Sequence, residues 1–279
     1  MSKKVFVIDI NKCNGCHACQ VVCKDEHVGN DWPGYTLSQP LHGHRWMNIM
    51  RKERGQYPMI DVAYRPTPCM HCDNAPCIKA SKNGAVYKRD DGIVMIDPER
   101  SKGQDSLINT CPYGVIWWNE EKKIPQKCTL CAHLLDEGWE KPRCVQACPT
   151  GALKIVKEED SEIDRMIKSE RLECLFPEKK TSPRVFYKNL YRFEKCFIGG
   201  SVAYENNGVI DCAENALITL IKDSTEIRDT ITDNFGDFKF DNLDENSGDY
   251  SIRIRFGERD KDISSIKLIK SLNLGTIMI

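Results

Sequence analysis

The stretch Cys13-Asn-Gly-Cys16-His-Ala-Cys19-Gln-Val-Val-Cys23 sets the architecture of this chain. A tight C-x2-C-x2-C loop can turn three thiolates onto three corners of a four-iron cubane. The fourth corner is supplied by a distant cysteine followed by proline. Two further groups repeat the idea. One is Cys69-x2-Cys72-x4-Cys77 with Cys111-Pro112 beyond it, and the other is Cys128-x2-Cys131 with Cys144-x3-Cys148-Pro149. Twelve of the fifteen cysteines fall into these groups, which implies a chain that carries electrons.

In two-cluster ferredoxins the last cysteine of each motif serves the cluster built by the other motif. Applied here, that rule gives Cys13, Cys16, Cys19 and Cys148 one [4Fe–4S] cluster. Cys23, Cys128, Cys131 and Cys144 hold a second, and Cys69, Cys72, Cys77 and Cys111 a third. What is missing fits the same rule. The second motif would be completed at position 81, where Ser81 stands, and Asp105-Ser-Leu-Ile-Asn-Thr-Cys111 lacks a C-x2-C-x2-C half-motif. Four ligands of one crossed site are gone together, leaving three clusters and not four.

Zinc is the chemical rival, because C-x2-C pairs also build zinc sites. The triplet loop and the two Cys-Pro endings suit cubane loops better. Disulfides are disfavoured by the two- and three-residue gaps and by the length of the chain. Clusters can also serve as folding energy alone, although crossed pairs favour a relay. Lys12 and Lys127, each just before a ligand, either place cations beside anionic clusters or are exposed lysines. Cys174, Cys196 and Cys212 lie outside the motifs and are expected to be buried free cysteines.

The chain has 279 residues, 41% hydrophobic and 29% charged, within the ordinary range for globular protein. No apolar run is long enough to span a bilayer, and the N-terminus reads as a first strand instead of a signal peptide. This favours the cytoplasm, although a signal-bearing partner could carry a folded subunit out. Residues 199–279 hold 9 Lys+Arg against 15 Asp+Glu, and the first 198 hold 31 against 26. Each thiolate-ligated cluster adds about −2, so the basic excess offsets its own cofactors and calls for no nucleic acid.

The expected class is α+β: a ferredoxin-like multi-cluster domain over 1–155, a helical connector and wrapping segment over 156–197, and an antiparallel β-sandwich over 198–279. Residues 24–68 form an insertion without cysteine that either faces a partner or covers a cluster. Its histidines, His27, His42 and His44, are read as polar or interface residues before a metal site. Over 156–175 a helix is expected, with Ser161 and Asp164 resembling a capping box and Ile163, Met166 and Ile167 on one face. Residues 184–193 are a strand or an interface. Alternating apolar residues at 216–221, 237–240 and 250–256, with turns at Asn207-Gly208, Asn234–Gly236 and Ser247-Gly248, spell the sandwich. The run Thr232–Phe240 resembles the signature turn of carboxypeptidase-regulatory or transthyretin-like sandwiches.

Residues 1–155 resemble the electron-transfer subunits of molybdopterin oxidoreductases of the dimethyl-sulfoxide-reductase family. The resemblance is carried by Cys13–Cys23, Pro68–Cys77, Thr110-Cys-Pro-Tyr-Gly114 and Lys127-Cys-Thr-Leu-Cys131. Trp32-Pro-Gly-Tyr35, Gly43–Asn48, Arg184–Lys195, the lost fourth site and the appended sandwich are similar to the branch whose partner moves hydroxyl groups between phenols. Cys148-Pro-Thr-Gly-Ala-Leu153 departs from that branch toward the general ferredoxin pattern. The resemblance implies a large catalytic partner carrying molybdenum and a bis-pterin guanine dinucleotide cofactor, and no catalytic residue here. A reductase or formate-oxidising partner, or a scaffold role, stays open from the residues alone.

Overall fold

A computed structural model describes residues 2–279. The chain divides into two compact units: residues up to Arg51 with Tyr64–Leu190, and Lys52–Ala63 with Tyr191–Ile279.

The first unit is organised around a short sheet that brings distant cysteines together. Strand β1 (Lys3–Asp9) runs directly into the Cys13 loop, and helix α1 (Ala18–His27) follows it. Cys19, Cys23 and His27 recur every four residues and make the buried face of α1. Strands β2 (Asn48–Gln56) and β3 (Met59–Thr67) form a hairpin. Helix α2 (Pro76–Ala80), with proline at its first turn, carries Cys77. Two small hairpins come next: β4 (Val86–Lys88) with β5 (Val94–Ile96), and β6 (Trp117–Asn119) with β7 (Ile124–Gln126). A 3-10 turn over Asp105–Thr110 lies between them and delivers Cys111. Helices α3 (Ala132–Asp136) and α4 (Arg143–Gln146) each start within a cysteine motif.

Strand β8 (Leu153–Glu158) then pairs antiparallel with β1, from Lys3 opposite Glu158 to Ile8 opposite Leu153. This register is the reason that Cys13 and Cys148 meet, since each lies just beyond the same end of the paired strands. Helix α5 (Asp160–Glu170) covers the sheet, with Ile163 and Leu172 packed on Val5 and Val7 and with Met166 and Ile167 beside them. The apolar face matches the expectation, but the helix begins at Asp160, Glu159 before it makes no side-chain capping bond, and Ser161 lies inside the helix. Residues 153–158 are strand because β-branched Ile155 and Val156 find partners in β1. Strand β9 (Val185–Lys188) adds to β1 in parallel, so the 184–193 stretch contains a strand.

The second unit has its own core. After a turn of helix, α6 (Tyr191–Glu194), come eight strands: β10 (Cys196–Asn206), β11 (Val209–Cys212), β12 (Leu217–Lys222), β13 (Thr225–Ile231), β14 (Asp237–Leu243), β15 (Gly248–Phe256), β16 (Arg259–Leu268) and β17 (Leu272–Met278). One sheet has the order β11-β10-β14 with β17 parallel to β10, and the other β13-β12-β15-β16. Both line a single apolar core that includes Ile198, Val202, Ile218, Phe240, Ile252 and Ile254. In the 232–240 turn the Asp233 carboxylate accepts from the N–H groups of Phe235 and Asp237 at 2.9 Å. A Cβ on Gly236 (φ +76) would stand 2.3 Å from the Val202 carbonyl oxygen. Arg54 is sunk among Asp61, Asp241 and the Lys195 carbonyl.

Cys196 is buried as expected, but Cys212 is exposed and Cys174 half-buried. Cys212 ends β11, an edge strand with no covered face, and neither sheet can bury it there.

Candidate metal centres

Twelve cysteines gather in three places. Cys13, Cys16, Cys19 and Cys148 surround a cavity lined also by Ile49, Pro66 and Leu153. Cys69, Cys72, Cys77 and Cys111 surround another, walled by Val94, Tyr113, Ile116 and Lys127. Cys23, Cys128, Cys131 and Cys144 are all buried, and their thiols act on one another electrostatically. These are the three quartets that the crossing rule expects.

Local backbone explains how each loop turns inward. Gly15 has φ +70, and a Cβ there would come within 2.5 Å of the Tyr64 ring. His17, His71, Leu130 and Cys131 take left-handed conformations that curl the chain around each cavity. Within the two C-x2-C loops, His71 N–H donates to Cys69 Sγ at 3.5 Å and Leu130 N–H donates to Cys128 Sγ at 3.3 Å.

Burial pushes the Cys19, Cys72 and Cys131 thiols up to about 12 and Cys77 and Cys128 to about 11. Unbound thiolates are therefore costly here, and a cationic iron core is what makes such a quartet stable. Cys148 goes the other way. Burial opposes its charge, yet the N–H groups of Leu153, Ala152 and Thr150 and the Thr150 hydroxyl leave it below the ordinary thiol value.

No three described His, Cys, Asp or Glu side chains close around a single ion. Each cavity-forming quartet instead surrounds a volume, and thiolates at the corners of that volume suit a cluster. A lone zinc would draw its sulfurs to ~2.3 Å.

The quartets adjoin in a row. Cys19 and Cys23 are one turn apart on α1, and Cys144 and Cys148 are one turn apart at α4. Both steps join the first quartet to the Cys23 quartet, and Cys144 senses the charge of Cys19. Cys128 in turn is acted on by the charge and the backbone N–H of Cys69. Cys16 of the first quartet is exposed.

The 24–68 insertion covers the middle quartet. Gln39 donates to the Cys23 carbonyl at 3.3 Å. Trp32 stacks at 4.0 Å on His133, two residues after Cys131, and His27 packs at 4.6 Å on Trp46. Burial lowers His27 to about 3, with His133 adding to the effect, so it is neutral. His44 Nε2 lies 2.9 Å from the Trp118 carbonyl, and His42 is exposed. The three histidines do not form a metal site among the described residues.

Of the two lysines singled out by position, Lys12 is exposed and Lys127 is buried. Residues that sequence reasoning missed include Thr181, whose hydroxyl favours the Cys72 thiolate and lies 2.6 Å from the Tyr113 hydroxyl. Nothing in the spacing of the cysteines could have pointed to it. At the lost fourth site, Ser81 Oγ donates to the Ile78 carbonyl, Gln104 bonds to Lys82 and Arg100, and Leu107 is buried.

Residues 60–158 match the family model described as a 4Fe-4S dicluster domain. Eight of the twelve cysteines lie inside that match, and Cys13–Cys23 lie outside it. The chain is 47% identical to the pyrogallol hydroxytransferase small subunit of Pelobacter acidigallici, over 99% of each chain. It is 31% identical to the arsenate respiratory reductase iron-sulfur subunit of Shewanella sp. (strain ANA-3), over 65% of this chain and 94% of that protein. It is 34% identical to the thiosulfate reductase electron transfer subunit of Salmonella typhi, over 58% of this chain and 80% of that protein.

Proposed function

The chain belongs to the family of pyrogallol hydroxytransferase small subunits, and from that premise we propose that it is the electron-transfer subunit of a molybdopterin enzyme complex. It holds three [4Fe–4S] clusters, ligated by Cys13, Cys16, Cys19 and Cys148, by Cys23, Cys128, Cys131 and Cys144, and by Cys69, Cys72, Cys77 and Cys111. The observation that carries this reading is the row of three adjoining cysteine quartets. When bound, each cluster takes up and releases one electron. The chain's own contribution is to hold the thiolates, shield the middle quartet with the insertion and leave Cys16 near solvent.

Three clusters instead of four are supported by Ser81, which stands where a further cysteine would complete the second motif, and by the lack of a C-x2-C-x2-C half-motif before Cys111. The partner is a large catalytic subunit carrying molybdenum and bis-pterin guanine dinucleotide, and the complex acts on hydroxylated aromatics. Substrate chemistry belongs to that subunit, and none of the residues here is catalytic. The second unit is a carboxypeptidase-regulatory or transthyretin-like sandwich, as supported by its two sheets around one core and the Asp233 turn. Cysteine spacing built for metal instead of disulfides supports the cytoplasm as its compartment.

The test is metal analysis of the complex isolated anaerobically from its native source. About 12 iron from this chain per molybdenum is expected (three clusters of four), plus any iron in the partner. Iron near that value in a monomer without molybdenum would refute the partner assignment.

A further inference from the structure

Among the described residues, Arg54, Arg184 and Lys127 are the buried lysine or arginine side chains. Arg54 is paired with Asp61 and Asp241, and Arg184 with Asp73 and Asp160. Lys127, 3% exposed, has no carboxylate partner among the described residues. Its ammonium donates to the Val94 carbonyl and, at 3.1 Å, to the Cys128 carbonyl. A buried charge left unpaired is strongly destabilising, so two neutral acceptors do not account for its position.

The missing counter-charge is in the cysteine quartets. Lys127 lines the cavity of Cys69, Cys72, Cys77 and Cys111. Through the backbone it is joined to Cys128 of the middle quartet. The nearby Lys88 makes the contrast, because it reaches the carbonyls of His71 and Cys72 and also pairs with Asp73 at 2.8 Å.

We propose that Lys127 is the buried counter-ion of the middle and third clusters, fixing their reduction potentials above the values their thiolates alone would set. This inference rests on the cluster reading given above. A cation favours the more negative, reduced form of each neighbouring cluster. Lys127 does not line the cavity of the first quartet. Lys127 is thus a positioning residue of the relay, one charge acting on the middle and third clusters together. The charge also opposes the rise that burial imposes on the Cys77, Cys111 and Cys128 thiols.

The experiment is a potentiometric titration of the intact complex followed by electron paramagnetic resonance, comparing wild type with Lys127→Met, Lys127→Gln and Lys127→Arg. In the Met and Gln variants we expect two of the three midpoint potentials to fall and the third to stay. Each fall should change the reduction equilibrium tenfold or more, about 59 mV per decade for one electron. Arginine, which keeps the charge, should restore most of the shift. If Met and Gln lose the third cluster while Arg keeps it, the charge is needed even for assembly, and the proposal stands. Unchanged potentials, equal shifts of all three, or loss of the cluster in Arg as well as Met would make Lys127 a structural strut and overturn it. Wild type without three clusters would instead refute the cluster reading itself.

Discussion

The Cys128 thiol feels both the charge and the backbone N–H of Cys69, so a cysteine of one quartet lies beside the first cysteine of the next. On its other side the Cys128 quartet meets the first quartet through the one-turn steps Cys19 to Cys23 and Cys144 to Cys148. A group held by Cys23, Cys128, Cys131 and Cys144 therefore has neighbours on two sides and none of its ligands exposed.

The crossed pairing makes an unusual demand on cysteine replacements. Cys23→Ser and Cys144→Ser, far apart in sequence, should abolish or convert the same cluster signal, while Cys19→Ser and Cys148→Ser affect a different one. Cys77→Ser and Cys111→Ser should act on the third. Paramagnetic resonance of the reduced variants, with iron falling from about 12 to about 8 per chain where a cluster is lost, checks the assignment. Loss of one and the same signal from Cys19→Ser and Cys23→Ser, with another left untouched by both, would break it.

Gly15 has no room for a side chain, and at φ +70 an L-residue is strained. Gly15→Ala should push the loop away from Tyr64 and cost the first cluster, leaving the signals of the other two in place. Iron analysis beside the resonance spectrum reads this directly, and full retention of all three signals would contradict it.

Much of this was legible in the sequence, for a physical reason. Cubane ligation fixes thiolate spacing so tightly that Cys13 to Cys23 announces its chemistry, and the crossing rule then pairs residues more than a hundred positions apart. The alternating strands of the second unit were legible because a half-buried strand must alternate. Burial of single residues was not. Lys12 and Lys127 stand in the same position before a ligand, yet β5 offers its Val94 carbonyl only to Lys127. Cys212 looked like a core cysteine because composition says nothing of which strand lies at an edge. Residues 156–158 became strand instead of helix through a partner, β1, far away in the chain.

Asp61 gives a pH signature in the second unit. Burial pushes its carboxyl up, but hydrogen bonds from Arg192 and Arg54 and the charge of Lys239 outweigh this and bring it from 3.8 to about 2. A depressed folded value means stability that is fully present above 3.8 and lost as pH falls from there through about 2. The contribution is about 2 kcal/mol at neutral pH. Asp61→Asn should therefore weaken amide-exchange protection in β10 and β14 at pH 7, with the gap to wild type closing as pH drops below 3.8. A gap that widens on acidification would contradict the pairing.

Removing iron should separate the two units. The first unit holds three sets of cysteines, most of them disfavoured by burial as free thiolates, whereas the second closes on its own apolar core. Anaerobic chelation should strip exchange protection from α1, α2 and α4 while β12 and β15 keep theirs. Equal loss in both would show that the sandwich depends on the metal.

The sharpest test of the relay is to count spins in the fully reduced complex, with the signals of the partner subtracted. Three [4Fe–4S] clusters in a row should give about three spins per chain, with magnetic coupling between the middle cluster and each of the others. Two spins per chain, or three without coupling, would contradict the row of adjoining clusters on which the proposed electron-transfer role rests.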